Sequence, residues 1–258
     1  MSIHPNFVWG TDNDSHVRVR SFGNIVDYDP KSTERDTELR IIESLAREMG
    51  ARRVLWQILA NDKYPEARFR VQRSVDIVRP ANTFGYINYD RCDGIVLEEP
   101  GDAVALTSRD CPILILRNPH GWPAAVLHCS RSSLQGAEIG RATKSVFSEA
   151  FQLCAGGFLD CTEVGGYLTM GIAEEHFHNE KYPHITDSLK RNWGMHVIGG
   201  TKERPTIDIV ELVRVQLRAR GVSTERVLWD ALDTFTDPRL ASVRAGRGGH
   251  NLVIVVRR

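Results

Sequence analysis

The residues best equipped for chemistry are Cys111 and His128, 17 positions apart. Cys111 closes the polar segment Ser108-Arg109-Asp110-Cys111, which separates the apolar runs 103–107 and 112–117. His128 closes the next apolar run, 123–127, beyond a turn-forming Asn118-Pro119-His120-Gly121. Antiparallel strands joined this way bring both side chains to one end of a sheet. A thiolate and an imidazole there can share a zinc ion, as a soft and a borderline ligand. They can equally form a nucleophile pair, the imidazole stabilising the thiolate. The plain alternative is two ordinary residues, since buried cysteine is common and inert.

Further donors lie nearby in sequence or at a distance. Cys129 follows His128, but adjacent residues of a strand point to opposite faces, which weakens it as a partner. His176 and His178, in Glu174-Glu175-His176-Phe177-His178, are two apart and would share one face of a strand. His250 sits among Gly246, Gly248 and Gly249, where backbone amides could join it around an anionic or purine group. Arg109, Arg131, Arg244 and Arg247 are candidate phosphate donors.

These residues need a scaffold, and the periodicities describe one. Leu39, Ile42, Leu45 and Met49 have helical spacing over 37–49, with Gly50 as a stop. Residues 54–59 read as a strand, and 68–77 alternate around Phe69, Val71 and Val75 as another. Short strands follow at 93–97, 103–107, 112–117 and 123–127. Residues 133–153 read as one long helix with Ile139, Ala142, Val146, Ala150 and Leu153 on a face. A strand at 167–172, a helix at 207–220 before Gly221, and strands at 227–232 and 251–256 complete the pattern. Strands in consecutive runs, interleaved with helices, predict an α/β (α+β) fold: a mixed sheet layered with helices. One domain over 1–258 is expected. No GxGxxG follows a strand, and no P-loop is present.

Composition narrows the partners. The chain has 258 residues, with 33 Lys+Arg against 33 Asp+Glu. A neutral balance offers no surplus for gripping a nucleic-acid polymer or an anionic membrane surface. Hydrophobic residues at 41% and charged residues at 26% describe a soluble globular protein. Five cysteines without a CxxC pair, and an N-terminus without an export signal, predict a reduced, cytoplasmic protein. A small-molecule substrate is the partner this leaves. The oligomeric state is not legible.

From Cys92 to Gly136 the chain resembles the laccase-domain family, formerly the multicopper polyphenol oxidases and now regarded as purine nucleoside phosphorylases with related activities. Cys92-Asp93-Gly94, Pro100-Gly101, Ser108-Arg109-Asp110-Cys111 and His128-Cys129-Ser130-Arg131-Ser132-Ser133 parallel its successive motifs, the last its HAGWRG stretch. Tyr167-Leu168-Thr169-Met170-Gly171-Ile172 is similar to its YLGPAIGP strand. Asp237-Pro238, Ser242-Val243-Arg244 and Gly249-His250-Asn251-Leu252 resemble its DP, FSYRR and GRQ segments. The segment 37–50 and the following 54–60 are similar to the helix and strand of its QxHG motif.

The resemblance implies a zinc held by two histidines and one cysteine. Cys111 and His128 occupy two of those positions, with Asp110 beside them in the catalytic segment. The third falls on Leu59, which cannot bind metal, and the HAGWRG arginine falls on Ser132. Cys129, His176 or His178 would have to supply the missing ligand. The implied reaction is phosphorolysis or hydrolysis of a purine nucleoside or related small molecule, with Arg244, Arg109 and His250 binding substrate or phosphate. Two other readings stand beside it: an enzyme using Cys111 as nucleophile or base without metal, and a non-catalytic scaffold that binds a small molecule or protein.

Overall fold

Several strands of this chain are apolar on both faces, and the computed structural model shows two different cores using them. It describes residues 6–11, 14–25, 35–59, 67, 69–118, 120, 123–139, 142–154 and 161–258. The first sheet runs in the order β1 (Asn6–Thr11), β2 (Val17–Ile25), β16 (His250–Arg257), β7 (Asp102–Ser108), β3 (Arg53–Gln57), β5 (Gly85–Asn88). The second runs β15 (Val227–Trp229), β12 (Gly165–Leu168), β8 (Ile113–Arg117), β9 (Ala124–His128), β6 (Gly94–Leu97), β4 (Val71–Arg73). Both are mixed. β3 is parallel to β5 and β7, while β7, β16 and β2 are antiparallel neighbours.

Alternation along each strand sorts side chains between the cores. Val104 and Leu106 of β7 and Val253 and Val255 of β16 meet Ile113 and Ile115 of β8 between the sheets. Ala103, Ala105 and Ile254 turn the other way, against Ile42 and Ala46 of α1 (Arg35–Glu48) and Met49 just beyond it. Leu114 and Leu116 face the opposite layer, α3 (Val146–Leu153), α4 (Pro183–Trp193) and α5 (Ile209–Arg218), where Phe147, Leu189 and Leu212 are buried. The expected α/β fold with a mixed sheet and layered helices is therefore present, with two six-stranded sheets among the described residues rather than one. Each fully buried Leu or Ile is worth about 1.5–3 kcal/mol, so the facing sheets and their helices hold the site's strand ends rigidly.

Three expected elements differ. The long helix over 133–153 is instead α2 (Arg131–Leu134), a hairpin of β10 (Ala137–Ile139) and β11 (Ala142–Lys144), and α3. Gly136 adopts a positive φ of 73°, which ends α2. Ser145 then restarts a helix with a capping box to Ser148. The helical spacing counted through 139 and 142 was a coincidence of residue types. The strand over 68–77 shrinks to β4, because Ser74 folds back to donate to Asp102 at 2.8 Å and opens a 3-10 turn. Residues 174–178 are no strand but a 3-10 turn, Glu174–His176, and its exit. β2, β5, α4 and the hairpin of β13 (Ile198–Gly200) with β14 (Pro205–Ile207) were not anticipated.

Candidate functional site

Strand register assembles the site. β8 and β9 pair Ile113 with His128, and the Cys129 N–H donates to the Pro112 carbonyl at 2.9 Å. β9 and β6 pair Leu127 with Gly94, so the His128 N–H reaches the Asp93 carbonyl at 2.7 Å. Cys111, His128 and Asp93 thus share one end of the second sheet, as the spacing of Cys111 and His128 predicted for the first two. The first sheet brings Gln57, Ser108 and His250 to the same end, because Asn251 pairs with Ser108 and Gln57 with Leu106. Between these ends lies a cavity of about 580 Å³.

His128 is a buried titratable group at this end of the sheet. Its Nδ1 lies 3.3 Å from Asp93 Oδ1, an ion pair at the long, bent end of hydrogen bonding. Burial pushes the imidazole down, but the Asp93 charge and hydrogen bonding to Asp93 and Cys111 outweigh it and raise it to about 10. At neutral pH the ring is an imidazolium between a buried carboxylate and a sulfur. Asp93 is 2% exposed, so little water screens the pair. In the sequence Asp93 stands only at the start of a strand, in the Cys92-Asp93-Gly94 motif, with nothing that marks it as a partner of His128. Only the cross-strand register reveals it.

Asp110 does something other than touch reacting atoms. Its Oδ1 accepts from Thr234 Oγ1 at 3.1 Å and Ser242 Oγ at 2.6 Å. Its Oδ2 accepts from the backbone N–H groups of Val243 at 3.1 Å and Arg244 at 3.3 Å. The carboxylate is a clasp that fixes the 234–244 loop against the Cys111 turn, and the catalytic role expected for it becomes a positioning one. Asp110→Asn will lose about 1.5–3 kcal/mol of stability, because an amide group cannot accept all four donors. Urea unfolding measures it, and a loss below about 0.5 kcal/mol would count against the clasp.

The cations sort by environment. Arg244 stands at the cavity mouth with its guanidinium 5.3 Å over the Phe177 ring. Arg131 is half-buried, 4.0 Å over the Tyr182 ring, and donates Nη1 to Asn179 Oδ1 at 2.9 Å. Arg109 is exposed at the rim, where its carbonyl accepts from Asn251 Nδ2 at 2.8 Å, and His250 lines the same rim. Arg247 is spent elsewhere: its guanidinium donates to the Leu240, Phe235 and Asp237 carbonyls.

None of the replacement ligands reaches the pair. Cys129 packs on the helix side with Leu114 and Phe147, and burial pushes its thiol far up. His176 lies 3.2 Å from Asp233 Oδ2 and stacks on Phe235 at 4.0 Å between centroids. His178 lines a separate cavity with Glu174, Glu175 and Arg204. What the Glu-Glu-His-Phe-His segment delivers to the site is Phe177. Leu59, on which the resemblance places the third ligand, lines the cavity. Among the described residues no group of three or more His, Cys, Asp or Glu is arranged to hold a metal ion. Cys111 and His128 alone do not fit the three-ligand zinc the resemblance implies.

Comparison with known proteins agrees with this architecture. A family model described as multi-copper polyphenol oxidoreductase laccase matches residues 63–258. Three solved structures share the fold. The Neisseria meningitidis protein NMB0706 superposes with a TM-score of 0.71 at 15% identity, covering 98% of this chain and 99% of that one. The Bacillus licheniformis hypothetical protein YfiH gives 0.70 at 13%, covering 94% and 93%. Geobacillus stearothermophilus YlmD gives 0.71 at 15%, covering 95% and 93%. No curated protein matches the chain. Among the described residues no helix is long and apolar enough to cross a membrane.

Proposed function

The chain belongs to the multi-copper polyphenol oxidoreductase laccase family, and from that premise we propose that it is an enzyme whose Cys111–His128–Asp93 group transforms a small molecule without a zinc step. The observation that carries this reading is the buried His128 ring, 3.3 Å from Asp93 Oδ1 and in one cavity with Cys111. The Cys111 sulfur, as thiolate, attacks an sp² carbon bearing an amine or alcohol leaving group. The bond to that group breaks with its electron pair, and His128 gives it a proton. Water then attacks the carbon of the adduct, returns a proton to His128 and releases the sulfur as thiolate. Asp93 fixes the ring and balances its charge throughout. Trp56, Leu59 and Phe177 give the cavity apolar walls.

A second reading, phosphorolysis or hydrolysis of a purine nucleoside, rests on the laccase-domain resemblance. The aromatic walls and a volume suited to a nucleoside favour it. Iodoacetamide separates these readings from a scaffold that only binds. Cys111 is expected to alkylate faster than the four other cysteines at neutral pH, and His128→Asn to slow it by about a hundredfold. Free base released from adenosine or inosine with phosphate would select the nucleoside reading. Equal, slow alkylation of all five cysteines would leave a binding scaffold.

A further inference from the structure

Two guanidiniums share the cavity of the proposed nucleophile. Arg131 and Arg244 both line the cavity with Cys111. Arg131 lies near enough for the charge of Arg244 and that of Cys111 to act on it. Like charges placed together normally recruit a carboxylate, yet among the described residues neither guanidinium pairs with one. Each is held by neutral partners instead: Arg131 by the Tyr182 ring and the Asn179 amide oxygen, Arg244 by the Phe177 ring. Rings and an amide fix the direction of a guanidinium without neutralising it. The Arg244 backbone is further tied to Asp110, and Asn179, 1% exposed, is itself fixed by donating to Thr186 Oγ1 at 2.9 Å. Two positive charges kept without a carboxylate partner, in one cavity with a nucleophile, suit a planar or tetrahedral oxyanion.

We propose that Arg131 and Arg244 form an oxyanion-binding clamp, so that the molecule presented to Cys111 is a carboxylate or a phosphoryl compound. This rests on the reading of Cys111 and His128 as the reacting pair, and deepens it by naming the substrate class. Arg131 lies at the HAGWRG-like segment but one residue before the matched arginine position, which is Ser132. Arg131 is therefore this chain's own contribution, set beside Arg244 of the FSYRR-like segment.

Two alkylating reagents of equal size test it. Iodoacetate carries the oxyanion and iodoacetamide does not, and an ordinary thiol reacts faster with the amide. At Cys111 the rate ratio of iodoacetate to iodoacetamide is expected to exceed one, by about tenfold or more. Arg244→Gln and Arg131→Gln should each reduce that ratio about tenfold, whatever they do to the sulfur itself. If Arg131→Gln fails to fold, Arg131→Lys keeps the charge and should retain part of the ratio. A wild-type ratio below one overturns the clamp, while fast iodoacetamide reaction alone leaves the Cys–His pair standing. If neither reagent labels Cys111, the pair has failed and the clamp is read separately: phosphate should raise the melting temperature of the wild type and not of Arg244→Gln. No rise overturns it. Protection of Cys111 by inorganic phosphate marks a free co-substrate, and stronger protection by a phosphomonoester or a carboxylate marks an anion carried on the substrate.

Discussion

Asp93→Ala will cost about 3–5 kcal/mol of stability at neutral pH, because it strips a buried imidazolium of its counter-ion. Both partners are enclosed, with 11% of the His128 side chain and 1% of the Asp93 side chain exposed, so water cannot replace the lost charge. The sign of the pH dependence follows from the direction of the shift. The folded imidazole is raised from 6.5 to about 10, so the ion pair contributes in full below about 6.5 and fades as pH climbs through about 10. The gap between wild type and Asp93→Ala should therefore be widest near neutrality and below, and should narrow towards pH 10 and beyond. Urea unfolding of both proteins across that window measures it. A gap that stays constant with pH, or one below about 1 kcal/mol throughout, would mean that His128 is neutral in the fold. Asp93→Ala should also slow alkylation of Cys111, since an imidazole that has lost its counter-ion sheds its proton.

Leu59→His will create a zinc site. Leu59 lines the cavity that holds Cys111 and His128, and the laccase-domain resemblance places the third ligand at this residue. A histidine there completes a Cys, His, His set that leaves a fourth position open. Zinc affinity should rise by at least about a hundredfold over the wild type, with one ion per chain by elemental analysis after dialysis. Zinc should also raise the melting temperature of the variant more than that of the wild type. Equal, tight zinc binding by both proteins would show that some donor other than residue 59 completes the set. Coupled with an activity assay, the variant also tells whether metal competes with the Cys–His chemistry or adds to it.

The two results concern different residues of the same pocket. The lining includes a carboxylate, an imidazole and a sulfur together with the apolar Leu59, Trp56 and Phe177. An apolar lining beside a charged group lowers the local dielectric and strengthens every charge the pocket contains. For the same reason the Arg131 and Arg244 charges matter although the whole chain is neutral, with 33 Lys+Arg and 33 Asp+Glu. Net charge governs solubility and long-range steering, whereas a binding site depends on a few charges within a Debye length.

Alternation, short apolar runs and turn residues are local, and they were legible directly. They located β3, β6, β7, β8, β9, β16, α1 and α5 to within a few residues and placed Cys111 and His128 at one sheet end. The order of partial motifs identified the family, and the replacement at Leu59 was visible at once. Other features depend on contacts far apart in the chain. The break at Gly136 was missed because a helical spacing of apolar residues is not a helix unless the backbone between them can continue. His176 and His178 looked like ligands by type, yet a 3-10 turn sends Phe177 to the pocket in their place. Asp93 carries no local signal: it meets His128 only because β6 and β9 lie side by side, 35 residues apart in sequence. Residue types and periods therefore determined which groups are available and which segments carry them. The pairing of strands, fixed by which faces must be buried between the sheets, decided which of those groups touch, and so which chemistry the protein can perform.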